Sequence, residues 1–138
     1  MNYSVNSLTT VGDCDVLLTF AAKERADLDY KKISDERITT RFAQSAAEID
    51  AQLLGVNAEI AATEIIISTL PEGPSKEDAV EKKVTLVYKK FQLEIRKERY
   101  GTVALLEKEM DLGRVHQELR EVDAFITAVT TKRDALLN

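Results

Sequence analysis

Residues 42–74 read FAQSAAEIDAQLLGVNAEIAATEIIISTLPEGP. Positions 42, 46, 49, 53, 56, 60, 63, 67 and 70 hold Phe, Ala, Ile, Leu, Val, Ile, Thr, Ile and Leu, in unbroken steps of four and three. Such alternation keeps one face of an α-helix turned toward a partner, so the stretch predicts a coiled-coil-like seam of about four heptads. It stops at PEGP, where Pro71 and Pro74 bracket Glu72 and Gly73, the one strong helix breaker in the chain. Beyond it Val80, Val84, Val87 and Phe91 begin a second seam, and Leu112, Val115, Leu119, Val122, Ile126 and Val129 continue one.

Thr10 with Asp13, and Ser75 with Asp78, each place a hydroxyl three residues before a carboxylate. The hydroxyl can cap free backbone N–H groups while the acid favours the positive end of the helix dipole. The expected organisation is a single helical hairpin domain over 1–138: an N-terminal arm at 1–10, helix 1 at 11–70, a turn at 71–74 and helix 2 at 75–137. Each helix would be on the order of 90 Å long at 1.5 Å per residue. A turn centred there puts residue i opposite roughly 145 minus i. Residues 42–70 carry Glu48, Asp50, Glu59 and Glu64 and no Lys or Arg, a net of −4, whereas 75–103 carry eight basic and five acidic residues, a net of +3. The opposite signs support an antiparallel register, although exposed pairs contribute only about 0–1 kcal/mol each.

Composition agrees. Of 138 residues, 44% are apolar and 31% charged, with five Gly, two Pro and no Trp, which is too apolar for disorder and too poor in turn formers for a sheet-rich fold. The length suits one ordinary domain and argues against a multidomain enzyme. The first dozen residues lack the basic start and apolar run of a secretory signal, and IIISTL at 65–70 is far shorter than the ~20 residues that span a bilayer. With one unpaired cysteine, a reducing cytoplasm is the expected address.

The second seam is imperfect. Positions 94, 98, 101 and 108 are Glu, Glu, Gly and Lys, while apolar residues shift to Ile95, Val103, Leu106 and Met110, the drift that a stutter produces. Helix 1 has a matching weak zone at Lys31, Lys32, Ser34 and Asp35. The alternative fold is therefore a compact single-chain four-helix bundle, with breaks near Ser34 and Gly101.

Apolar residues also stand side by side: Leu17 and Leu18, Leu53 and Leu54, Ile65 to Ile67, Leu86 and Val87, Leu105 and Leu106. Neighbours on a helix point about 100° apart, so the apolar face is wider than one partner helix covers. That predicts a homodimer forming a four-helix bundle, with Leu18, Leu54, Ile65, Ile66, Leu86 and Leu105 as candidate interface residues. Alanines at 43, 46, 47, 51, 58, 61 and 62 would let helices approach closely.

Catalytic chemistry is not indicated. His116 is the only imidazole; acids lie at Asp111 and Glu118, but Gly113 stands where a Glu-x-x-His metal pair needs its carboxylate. Cys14, between two acids and with no histidine near it in sequence, reads as a buried or idle thiol. Residues 88–100, YKKFQLEIRKERY, interleave bases with aromatics, yet the acidic chain and a core role for Phe91 and Ile95 argue against nucleic acid. No catalytic residue, cofactor, metal or membrane contact is expected. The leading expectation is a non-enzymatic structural or adaptor protein acting through protein–protein contacts, chiefly with itself. The alternative is a small cytoplasmic or secretion-type chaperone that holds a client helix on its apolar stripe.

Overall fold

The computed structural model describes all residues, Met1–Asn138, and contains helices and no strand. After a short 3-10 turn, Val5–Ser7, come α1 (Val11–Thr69), α2 (Pro74–Tyr100) and α3 (Thr102–Leu137). The fold is all-α, a helical hairpin whose second arm is interrupted once, at Gly101. α1 passes through Ser34 unbroken, so the compact bundle is not adopted. Contacts divide the chain into a terminal unit, Met1–Ile38 with Glu109–Asn138, and a turn unit, Thr39–Lys108.

The start of α1 is capped as expected, with the Asp13 amide donating to Thr10 Oγ1 at 3.1 Å. The start of α2 is not. Pro74 occupies the first turn after Gly73, and Ser75 lies inside the helix with no capping bond. Gly73 has φ +152°, a conformation that L side chains rarely adopt, and proline at the first helical position costs no hydrogen bond. The reversal is therefore built by backbone conformation and not by a side-chain cap.

In the turn unit the α1 seam is the expected one: Ala46, Ile49, Val56 and Thr63 are buried, and Phe42, Leu53, Ile60, Ile67 and Leu70 partly so. Thr63 satisfies its hydroxyl on the Glu59 carbonyl at 2.7 Å. The α2 seam differs from the sequence expectation. Val80, Val84, Val87 and Phe91 are exposed, and the inward positions are Lys76, Ala79, Lys83, Leu86, Lys90 and Leu93. Every seventh residue from Lys76 to Lys97 is lysine. A lysine serves at such a position because its methylene stem covers the apolar seam while the ammonium reaches out to a partner. Lys83 reaches Glu64 at 3.3 Å and Lys97 reaches Asp50 at 3.6 Å, two residues from the partners that a simple turn-centred rule assigns.

The interruption at Gly101 also lies in this unit. The Gly101 amide donates to the Lys97 carbonyl at 2.8 Å, its ψ of −164° leaves the helical range, and its own carbonyl accepts from Leu105 at 3.0 Å. Leu93, Lys97 and Gly101 are spaced by two consecutive steps of four, one residue more than the alternation allows. Beside it Tyr100 packs on Phe42 with ring centroids 6.0 Å apart, and the Lys108 ammonium lies 5.5 Å from the Phe42 centroid.

In the terminal unit Cys14, Ala21, Val115, Leu119 and Val129 are buried. The inward positions of α1 continue in steps of four and three through Arg25, Leu28, Lys32 and Asp35, so what reads as a weak zone in sequence is a seam with polar members. Arg25 Nε donates to Asp123 Oδ1 at 2.7 Å and the same guanidinium holds Asp29; Arg133 Nε donates to Asp15 at 2.6 Å. Bonding to Asp123 raises the Arg25 pKa further above its ordinary value. The N-terminal arm is tied down by Tyr3, whose hydroxyl donates to Glu121 and whose ring meets Phe125 edge-on at 5.1 Å.

Candidate interaction surface

The turn unit carries two exposed apolar tracks in addition to its core. On α1, Ala47, Ala51, Leu54, Ala58, Ala61 and Ile65 follow steps of four and three, and all are exposed. Leu54 keeps 75% of its surface. On α2, Val80, Val84, Val87 and Phe91 repeat the spacing, with Tyr88 and Ile95 beside them; Val84 is 65% exposed and Phe91 56%. Each helix thus has one track facing its intrachain partner and another facing solvent.

The two tracks differ in direction: Ala51, Ala58 and Ile65 stand opposite the inward positions of α1, whereas Val80, Val84, Val87 and Phe91 lie beside those of α2. Ala47 and Ala61 stand three residues before Asp50 and Glu64, while Val80 and Val87 stand three before and four after Lys83. Side chains three or four apart are surface neighbours on a helix. Glu64 pairs with Lys83 and Asp50 with Lys97, so Ala47, Leu54 and Ala61 on α1 and Val80 and Val87 on α2 border this row of ion pairs. Soluble chains rarely leave apolar tracks of this kind uncovered unless they bind something.

Three of the six candidate interface residues, Leu54, Ile65 and Ile66, lie exposed on α1 of the turn unit. Leu86 is only 7% exposed and belongs to the intrachain core, because the inward register of α2 runs through it and not through Val87. Leu105 in the turn unit and Leu18 in the terminal unit are half-buried. By sequence the Val80–Phe91 surface reads as core, because it is the more hydrophobic of two tracks with equal spacing. The α1 track shows in the sequence as a richness in alanine, and it emerges as a four–three track only when alanine counts as apolar.

Cys14 is fully buried, and its thiol is unpaired. His116 is exposed, with Nε2 3.9 Å from Glu36 on the facing helix. No group of three or more His, Cys, Asp or Glu side chains is placed to hold a metal, and no helix is long and apolar enough to cross a membrane. An open, largely apolar cleft of about 310 Å³ lies in the terminal unit between Tyr3, Phe20, Ala21, Glu24, Val122 and Phe125. Its acidic groups are Glu24 and Glu121, and Glu121 already accepts from Tyr3. Comparison of the chain with protein families, with curated proteins and with solved structures finds no match.

Proposed function

We propose that this chain is a non-enzymatic helical adaptor that works through helix faces and associates with itself as a homodimer. The observation that carries the reading is the pair of solvent-facing apolar tracks on the turn unit, each spaced for helix packing and neither covered within the chain. A soluble helix with two apolar faces is a helix with two partners, and the hairpin supplies one. The buried, unpaired Cys14 thiol suits a reducing cytoplasm as its place of work.

Sedimentation equilibrium over a wide range of concentrations tests the proposal against the 15.4 kDa monomer. A species of twice that mass, unchanged on dilution into the low micromolar range, is the expected result. A chain that stays monomeric at every concentration overturns the homodimer. It would leave the tracks for a client helix, which is the chaperone reading.

A further inference from the structure

The N-terminal arm and the cleft beside it share one groove. The open cleft of about 310 Å³ reaches Phe20 and Ala21 on α1 and Val122 on α3. A smaller space of about 150 Å³ lies next to it, between Val5 and Leu8 of the arm, Leu17 on α1 and Val129 on α3. Tyr3 and Phe125 line both spaces, so the wall that separates them is a side chain of the arm. Residues 3–8 thus occupy one end of a groove between α1 and α3 and leave the other end open.

Little attaches the arm to that groove. Internally it holds its own shape: the Ser7 amide donates to the Ser4 carbonyl at 3.1 Å and the Leu8 amide to the Val5 carbonyl at 3.0 Å. No backbone hydrogen bond joins residues 1–9 to either helix, and the one side-chain bond that does so runs from the Tyr3 hydroxyl to Glu121. Apolar contact comes from Tyr3, Val5 and Leu8, each only half-buried. Nor does α1 need the arm in order to start, because Thr10 supplies the cap: its Oγ1 accepts from the Asp13 amide and its carbonyl from the Cys14 amide at 3.4 Å. A terminal segment held by so few contacts opens at a far lower free-energy cost than the helices on which it rests. We propose that residues 1–9 are a strap that leaves the α1–α3 groove while the hairpin stays folded, with the Tyr3–Glu121 hydrogen bond as its latch. Its departure joins the two spaces into one apolar groove bounded by Leu17, Phe20 and Ala21 on α1 and by Val122, Phe125 and Val129 on α3. The strap and its groove lie wholly in the terminal unit and are independent of the homodimer reading.

Limited proteolysis of the full chain with chymotrypsin tests the strap. Cleavage after Leu8 requires the residues on both sides of it to be free of the groove, so its rate follows the open population. Under native conditions Leu8 should be cut well before any site in α1, α2 or α3, and the remaining chain should keep its helix content by circular dichroism. Tyr3→Phe keeps the ring and removes the latch, and Glu121→Ala removes the latch from the other side. Each should speed cleavage after Leu8 about 3- to 10-fold, the equilibrium weight of one ordinary hydrogen bond, and the double variant should be no faster than the single ones. In a Cys14→Ala background, Val129→Cys reports on the groove itself, since position 129 is fully buried while the arm is seated. Tyr3→Phe should speed the reaction of that cysteine with a thiol reagent by the same factor. Cleavage after Leu8 that appears only together with cleavage in the helices refutes release of the arm by itself. A rate unchanged in both single variants refutes the latch, and labelling of Val129→Cys that is indifferent to Tyr3→Phe refutes the arm as the cover of the groove.

Discussion

Replacing Leu93 and Phe91 by alanine, one at a time, separates the face of α2 that holds the chain together from the face that holds something else. Leu93 keeps 5% of its surface, so nearly all of the three carbons lost in Leu93→Ala leave a buried environment. At about 0.8 kcal/mol per buried methylene, transfer alone accounts for about 2.3 kcal/mol. The cavity left behind adds a smaller amount, because a seam between only two helices can partly close, and the expected loss is about 2.5–3.5 kcal/mol. Phe91 already exposes more than half of its surface, so within one chain its truncation should cost about 1 kcal/mol or less. Urea unfolding followed by circular dichroism, at a concentration where the chain is monomeric, should show a clearly lower midpoint for Leu93→Ala than for Phe91→Ala. As concentration rises the parent's midpoint should rise with it, and that gain should be lost in Phe91→Ala. If Phe91→Ala is the more damaging at high dilution, the inward seam of α2 is Val80–Val84–Val87–Phe91 and the reasoning about both faces fails.

Two further outcomes follow from single residues. A Cβ at Gly101 would fall inside contact distance of the Lys97 carbonyl oxygen and 2.7 Å from Lys97 Cγ, so Gly101→Ala should destabilise by about 1–3 kcal/mol despite alanine's higher helix propensity. A higher urea midpoint would show that the interruption is not maintained by sterics. The hydrogen bond to Glu121 is the main cause that raises the Tyr3 pKa above the ordinary value of about 10, and the adjacent carboxylate charge acts in the same direction. The raised value means that this contact is fully formed below pH ~10 and is lost as pH climbs through the higher pKa. In an absorbance titration Tyr3 should ionise later in the parent chain than in Glu121→Gln, and an unchanged profile would show that the contact is not made.

The α1 seam between Phe42 and Leu70 is legible because each of its positions is apolar, or in the case of Thr63 can satisfy its hydroxyl on its own helix. Reading α2 fails for a specific physical reason. Two tracks with the same spacing compete there, and hydrophobicity ranks Val80, Val84, Val87 and Phe91 above Ala79, Lys83, Leu86, Lys90 and Leu93. The structure prefers the second because lysine is long: its stem shields the apolar α1 seam and its ammonium meets an acid on α1, which valine cannot do. The same chemistry carries α1 through Arg25, Lys32 and Asp35, where hydrophobic counting sees a break. Half of the candidate interface follows from this, since the side chains wrongly assigned to the core are the ones that face solvent.

The lysine ladder raises a question of register that the rest of the hairpin answers. Lys76, Lys83, Lys90 and Lys97 recur every seven residues, so sliding α2 by one heptad toward either end still sets a lysine opposite Glu64. A ladder of this kind stabilises several registers nearly equally and cannot choose among them. The turn chooses in its own unit: Gly73, with its positive φ, and Pro74 at the first helical position leave α2 one place to start. The terminal unit supplies pairs that do not repeat. A seven-residue slide there would bring Arg25 from Asp123 to His116 or Thr130, and Asp15 from Arg133 to Ile126, so both ion pairs are lost together. Register is thus set in the turn unit by the turn and in the terminal unit by Arg25, Asp123, Asp15 and Arg133, and the turn-unit surface is free of that task. That surface can therefore be regular, and regularity is what a helix from a second copy would need in order to pack along its whole length.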